Sequence, residues 1–187
     1  MKTTLIAAGL ALALAAPAWS APAQNWTVEP GSKLGFRGAF SGEAFEGTFR
    51  AWSAKIAFDP KNLAGSKAVV SVDVASAATG DADRDSALPS PDWFDAHRFP
   101  TAVFTTRAIR DLGGGRYAAD GDLTLRGVSR PLTLPFTVKI AGDKAVMSGQ
   151  AALDRNAFGV GQGQWRATDT LAGPVTVLVQ ITAHKSP

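Results

Sequence analysis

The chain has 187 residues, a formal net charge of +3 and no cysteine. Apolar residues make up 45% of it, which suits a packed domain and excludes extended disorder. The lack of cysteine excludes disulfides, iron–sulfur clusters and thiol catalysis, and the scattered basic residues argue against a nucleic-acid partner.

The first 23 residues have the features of a secretory signal peptide. Lys2 supplies the positive start, an apolar run covers 5–16, and small residues follow. A membrane anchor is the weaker alternative, because a spanning helix needs roughly 20 apolar residues. We therefore predict export, cleavage after Ser20 or Ala23, and one folded domain over 24–187.

The rest of the chain alternates between apolar and polar residues with a period of two. Clear examples are 70–75, 132–140 and 175–182, each with one apolar face. Such alternation predicts half-buried antiparallel strands. In chain order we predict eight strands, at 33–40, 45–59, 67–75, 101–110, 116–126, 131–140, 144–154 and 174–184.

The segments between these strands contain most of the turn-forming residues. Glycines at 113–115, 127 and 142 predict tight hairpins within a meander. The segment 80–99 combines aspartates with prolines, which predicts a short helical segment near 82–88 followed by a loop. The connection 155–173 is long and contains four glycines.

Two local features bear on how the strands are built. Phe45 and Phe49 share one face, whereas Trp52 and Phe58 share the other, so we predict a bulge between Phe49 and Trp52 that turns all of them inward. Pro135 cannot donate a backbone hydrogen bond, and we predict a bulge or a weakly paired position there.

Eight antiparallel strands with one apolar face must bury that face, either by closing into a barrel or by forming two packed sheets. An eight-stranded barrel is just wide enough to be filled by its own side chains or to hold one small ligand. Composition does not decide between a filled and a hollow barrel.

Four segments, in the same order, resemble one protein family. They are F-E-G-T-F-R-A-W-S-A-K-I-A-F-D-P at 45–60, L-P-S-P-D-W-F-D-A-H-R-F-P-T-A-V-F at 88–104, G-D-L-T-L-R-G-V-S-R-P-L-T-L at 121–134 and L-D-R-N-A-F-G-V at 153–160. Together they resemble the YceI family of periplasmic proteins, over about residues 26–183. One departure is at 29–32, where many members have a histidine that this chain lacks.

The resemblance implies an all-β protein with a single eight-stranded antiparallel, lipocalin-like β-barrel. It implies a periplasmic binding or carrier protein, not an enzyme, that holds a polyisoprenoid or similar long-chain amphiphile, with a quinone as one candidate. A cytochrome b561-type membrane protein is a candidate partner, and a homodimer is compatible with the chain. The family supplies no catalytic residue and no cofactor to carry over. The alternative is an interaction protein with a filled barrel that docks on a membrane partner.

The apolar strand faces supply the candidate ligand-binding residues. In a hollow barrel they form the wall of an apolar tunnel, and in a filled barrel they form a dry core. With two loop aromatics added, the predicted ligand-binding residues are Phe36, Phe49, Ile56, Phe58, Val72, Phe104, Leu123, Leu125, Leu134, Phe136, Val138, Met147, Phe158, Trp165, Val177 and Val179.

The loop aromatics have two interpretations. Phe158 and Trp165 lie among glycines that would let the segment move, which favours a gate at the tunnel mouth. Trp93 and Phe94 lie between prolines, which favours fixed packing.

The polar residues do not form a catalytic or metal-binding signature. Arg126, Arg130 and Arg155 could meet a head-group oxygen, but structural ion pairs are the favoured interpretation. His97 has no nucleophile-elbow motif near it, and the aspartates at 81–85 lack the glycine of a calcium-binding loop. We therefore predict binding without catalysis or metal.

Overall fold

The structure, a computed structural model that describes residues 22–187, consists mainly of antiparallel strands. The strands are β1 (Asn25–Val28), β2 (Lys33–Phe40), β3 (Glu43–Phe49), β4 (Trp52–Ala57), β5 (Lys67–Asp73), β6 (Ala77–Ala78), β7 (Thr101–Gly113), β8 (Arg116–Leu125), β9 (Val128–Ala141), β10 (Lys144–Asp154) and β11 (Pro174–Lys185). The described helices are α1 (Ala82–Ala87) and short 3-10 helices at Leu63–Gly65, Val74–Ser76, Arg155–Phe158 and Gly163–Trp165.

Residues 1–21 of the predicted signal peptide lie outside the described residues. The signal peptide therefore stays a prediction. Within 22–187, no helix has the length and apolar character needed to cross a bilayer.

The strands close into a barrel with eight positions in its wall. Strands β7 to β11 pair consecutively, and β11 pairs back with both β1 and β2. Three wall positions are interrupted, because β1 continues as β2, β3 as β4, and β5 as β6. The predicted eight-stranded antiparallel barrel with one short helix is therefore confirmed, although β1 and the breaks within three strands were not predicted.

We predicted a bulge between Phe49 and Trp52 within one strand, whereas the structure has a two-residue break between β3 and β4. Arg50 N donates to Ser76 O (3.1 Å), while Ala51 O accepts from Asp73 N (3.0 Å). The break resets the alternation, so Phe49 and Trp52 both face into the barrel. The inward orientation of the large apolar residues on this segment is thus confirmed.

The weakly paired position predicted at Pro135 is part of a longer stretch. Strand β9 pairs with β8 over its whole length, but with β10 only from Phe136 onward. Residues 128–135, which include Pro131 and Pro135, have no such partners on β10. Proline lacks the N–H that a ladder needs, which explains why the pairing ends there.

The connections collect at two ends of the barrel. We call one the loop end; it carries the segments 74–100 and 155–173 and the turns at 41–42 and 126–127. We call the other the hairpin end; it carries the connections 58–66, 114–115 and 142–143.

Aromatic side chains pack the barrel interior toward the hairpin end. The ring centroids of Phe58 and Tyr117 are 5.2 Å apart, and those of Tyr117 and Phe136 are 5.5 Å apart. Trp26 Nε1 donates to the backbone oxygen of Phe58 (2.9 Å). Burial raises the pKa of the Tyr117 hydroxyl. This cluster occupies part of the interior near the hairpin end.

Candidate functional site

A cavity of about 570 Å³ occupies the barrel and opens at its loop end. Its volume falls within the roughly 300–1,000 Å³ typical of small-molecule sites. The lining is apolar, with few polar side chains in it: Lys67, Thr79, Asp81, Asp83, Arg84, Thr106 and Arg155. The barrel is therefore hollow, which resolves the alternative that the sequence left open.

Most of the predicted ligand-binding residues line this cavity. They are Phe36, Phe49, Ile56, Phe58, Val72, Phe104, Leu123, Leu125, Leu134, Phe136, Val138, Met147, Trp165, Val177 and Val179. Their contact with a ligand stays a prediction.

Phe158 differs from the prediction. It is only 3% exposed and belongs to the packed core, outside the residues that line the cavity. The 3-10 helix Arg155–Phe158 ends at Gly159, whose left-handed backbone (φ 70°) reverses the chain beyond the buried ring. Phe158 therefore anchors the loop, and the gate interpretation does not apply to it.

Several residues that line the cavity were not predicted, and two groups among them are informative. Leu34, Val70, Leu132 and Val175 lie two positions from predicted residues on the same strand faces. Strict alternation along each strand would have identified them.

The second group is polar and lies on α1 and the segment before it. Residues 79–84 lack strand periodicity, so only the folded chain shows that this segment reaches the cavity.

Glycines in the wall let large aromatic rings lie against neighbouring strands. Phe36 is directly opposite Gly47, and Phe45 is directly opposite Gly38. A Cβ atom at Gly38 would lie 2.8 Å from the Phe45 ring, and one at Gly47 would overlap the Phe36 ring. Each ring thus packs against the backbone of a glycine. A larger side chain at that glycine would displace the ring. This packing helps to explain why a barrel so rich in phenylalanine is hollow.

Three aromatic side chains form one side of the cavity mouth. The ring centroid of Trp165 lies 6.4 Å from that of Phe40 and 5.6 Å from that of Trp93. All three line the cavity, and Phe40 is 37% exposed. Trp165 therefore has the position that a gate requires, and Trp93, which we predicted as fixed packing, shares that position.

Residues from α1 and the segment before it form the polar side of the mouth. Asp81 caps α1 by accepting from Arg84 N (3.0 Å), and its other oxygen lies 3.5 Å from Arg84 Nη2. Arg84 Nε donates to Thr79 Oγ1 (3.3 Å), and its guanidinium lies 4.8 Å from the centroid of the Phe45 ring. Arg84 is thus held between a carboxylate, a hydroxyl and an aromatic face.

The third aspartate of this segment also has a structural role. Asp85 accepts hydrogen bonds from Thr79 Oγ1 (2.7 Å) and Thr79 N (2.6 Å), and these lower the pKa of its carboxyl group. The aspartates at 81 and 85 therefore organise the start of α1.

Arg155 is buried, and it donates to backbone carbonyl groups of its own loop. Its Nη1 donates to Val160 O (3.0 Å), its Nη2 to Leu171 O (2.8 Å) and Ala167 O (3.1 Å), and its Nε to Ala172 O (3.0 Å). Burial lowers the pKa of the guanidinium, but an arginine in a protein keeps its charge. Arg155 is therefore the centre around which the loop folds.

The other two predicted arginines also bind backbone oxygens. Arg126 Nη2 donates to Pro91 O (2.6 Å), and Arg130 Nε lies 3.5 Å from Ala157 O. The structural interpretation of these arginines is correct, but their partners are carbonyl groups where we predicted ion pairs.

The fold and the cavity define a class of protein: a hollow, lipocalin-like β-barrel with its opening among the loops. Residues 26–183 match the model of the YceI-like domain, and the chain belongs to that family, as its sequence predicts.

Relatives of similar length support this assignment. A UPF0312 protein of Vibrio campbellii is 35% identical over 147 residues, which are 76% of this chain and 77% of that protein. A UPF0312 protein of Vibrio vulnificus is 36% identical over 138 residues, or 72% of each chain.

Solved structures have the same architecture. BcnA of Burkholderia cenocepacia superposes with a TM-score of 0.81 at 33% identity, covering 83% of this chain and 99% of that one. The YCEI protein of Campylobacter jejuni gives 0.69 at 26% identity, covering 75% and 85%. A domain from Saccharophagus degradans, described as polyisoprenoid-binding, gives 0.66 at 15% identity, covering 89% and 100%, which shows a shared fold.

Proposed function

We propose that the protein binds one long-chain amphiphilic lipid of the polyisoprenoid class. The hydrocarbon chain lies inside the barrel, and the head group lies at the mouth. The observation that carries this proposal is the apolar cavity of about 570 Å³, with its polar side chains concentrated on α1 and at the loop end. The shared fold of a domain described as polyisoprenoid-binding is consistent with it.

The chemistry of the lining suits such a chain. Each CH₂ group removed from water contributes about 0.8 kcal/mol, so a five-carbon isoprene unit contributes about 4 kcal/mol before the entropic costs of binding. A hydrocarbon chain needs no directional partner, and the lining side chains from β2 to β11 offer few. The protein acts by holding and shielding its ligand, and we propose binding or transport rather than catalysis.

The remaining features of the proposed function rest on the predicted signal peptide and on what the family resemblance implies. The predicted signal peptide would direct the protein to the periplasm, where a lipid carrier must cross an aqueous space. A quinone is one candidate ligand, and a cytochrome b561-type membrane protein is one candidate partner. A filled-barrel interaction protein is not favoured, because the interior is open.

The first experiment is native mass spectrometry of the mature protein purified from its own compartment, with extraction and identification of any bound lipid. We expect one prenyl-type lipid per chain. Protein that is purified without lipid and also fails to take up added prenyl alcohols or quinones would overturn the proposal.

Gly47→Val should reduce the binding of long prenyl chains. The new side chain would overlap the Phe36 ring and push it toward the lumen, where it would shorten the usable cavity. We expect affinity for a long prenyl alcohol to fall about tenfold, equivalent to about 1.4 kcal/mol, while a short one is affected less. Titration with alcohols of increasing length measures this.

Thr48→Val is the matched control, because Thr48 is the exposed neighbour on β3. Equal loss for short and long alcohols, or the same loss in the control, would contradict the role assigned to Gly47.

A further inference from the structure

The cavity has a distinctive distribution of charge, which bears on the head group that it accepts. Two cationic side chains in the lining, Arg84 and Arg155, already have partners. Arg155 donates to at least four backbone carbonyl groups of its loop. Arg84 contacts Asp81, Thr79 and the ring of Phe45.

The third cation of the lining does not belong to the mouth. Lys67 is the first residue of β5, at the end of that strand remote from α1. Ala68, Val70 and Val72 are alternate residues of β5 that line the cavity, and Lys67 is out of step with this alternation. From the start of β5, Lys67 lines the cavity near its hairpin end, away from the mouth.

At the loop end the lining contains two carboxylates, Asp81 and Asp83, and two guanidinium groups, Arg84 and Arg155, that already have partners. Asp81 and Asp83 both line the cavity beside Arg84, which is bound to Asp81. Asp83 is exposed; its backbone oxygen accepts from Ser86 Oγ (2.9 Å), and its carboxylate has no hydrogen-bond or ion-pair partner among residues 22–187. The N-terminus of α1 offers no anion site, because the Asp81 carboxylate already caps it. The exposed arginines Arg50 and Arg166 lie outside the lining.

We infer that the mouth selects lipids with an uncharged head group and rejects those with a phosphate or diphosphate, and that Asp83 determines this specificity. The inference rests on the proposed function. A phosphate at the mouth would meet the carboxylate of Asp83, and the lining cations at that end, Arg84 and Arg155, already have partners. Two negative charges at the mouth repel each other, and because Asp83 is exposed the repulsion depends on the salt concentration. An uncharged alcohol or carbonyl head group has no such penalty and can accept hydrogen bonds at the rim.

The test is a competition between two lipids with the same chain. Lipid-free mature protein is incubated with neutral phosphatidylcholine vesicles that carry equal amounts of geranylgeraniol and geranylgeranyl diphosphate. Native mass spectrometry then gives the ratio of the two bound lipids for the parent, Asp83→Asn and Asp83→Lys. Because every variant samples the same vesicles, unequal partitioning of the two lipids cancels when the ratios are compared.

We expect the parent to retain mainly the alcohol. The bound diphosphate-to-alcohol ratio should rise several-fold in Asp83→Asn and by at least about tenfold in Asp83→Lys, the change that one favourable charge contact supplies. The effect should weaken at high salt. Asp143→Asn removes an exposed carboxylate at the hairpin end and should leave the ratio within about twofold of the parent.

The outcomes separate the two proposals. Capture of both lipids, with equal ratios in the parent and both Asp83 variants, would overturn head-group selection by Asp83 and leave lipid binding intact. A parent that prefers the diphosphate would also overturn it. Capture of neither lipid by any variant would overturn the proposed function itself.

Discussion

Val177→Arg is expected to abolish retention of a prenyl lipid. Val177 lines the cavity from β11, where it lies opposite Phe36 on β2 and Ala151 on β10. A guanidinium at this position would have to lie in an apolar lumen without a partner or extend along the space that the chain needs. We expect affinity to fall at least about 100-fold, equivalent to about 2.7 kcal/mol. Native mass spectrometry and titration with a prenyl alcohol measure the loss.

Two further variants separate blocked binding from failure to fold. Val177→Trp fills the same space with an apolar side chain and should lower lipid occupancy in a protein with parent-like circular dichroism and cooperative unfolding. Gln180→Arg adds the same charge to an exposed position of β11 and should bind lipid as the parent does. A folded Val177 variant that retains lipid as the parent does would show that Val177 is not part of the binding wall.

Arg155→Met should cause the largest loss of stability among the substitutions considered. The variant removes the donors for several carbonyl groups, and the bonds to Val160 O and Leu171 O are fully buried. A buried carbonyl group without a donor costs about 1–3 kcal/mol, so we expect the free energy of unfolding to fall by about 3–5 kcal/mol. Urea unfolding of the parent and the variant measures the difference.

Arg130→Met is the control for Arg155→Met. Arg130 is exposed and makes one long contact of 3.5 Å, so its loss should change stability by no more than about 0.5 kcal/mol. Hydrogen exchange should increase over 160–172 in Arg155→Met, because those amides belong to the loop that the guanidinium organises. Unchanged exchange there and parent-like stability would show that the buried guanidinium is dispensable.

Much of the fold could be predicted because β-strands with one buried face show a local alternation of apolar and polar residues in the sequence. The alternation at 132–140 and 175–182 identifies one inward face on each strand, and that face is the one that lines the cavity. The glycine turns at 114–115 and 142–143 identify which strands are neighbours. The same alternation explains why most of the predicted wall residues are correctly placed.

Errors arose where the outcome depends on several segments at once. Phe158 and Trp165 have similar glycine-rich surroundings in the chain, yet one is buried beneath its loop and the other borders the mouth. The difference comes from Arg155, whose carbonyl partners between 160 and 172 set the path of the loop. A sequence pattern does not show which carbonyl groups an arginine will reach.

The sequence by itself therefore determined most of the strands and their inward faces and, through its ordered motifs, the family and the eight-stranded barrel that the family implies. Each of these is recorded in short-range periodicity, in turn residues or in ordered motifs. Only the tertiary structure decided that the barrel is hollow and that Asp81, Asp83 and Arg84 border its opening. A cavity is the volume left over after all side chains are packed, and here it depends on pairs such as Phe36 with Gly47 and on the position of α1. Such a volume depends on contacts between residues that are distant in the chain, so no single segment of the sequence predicts it.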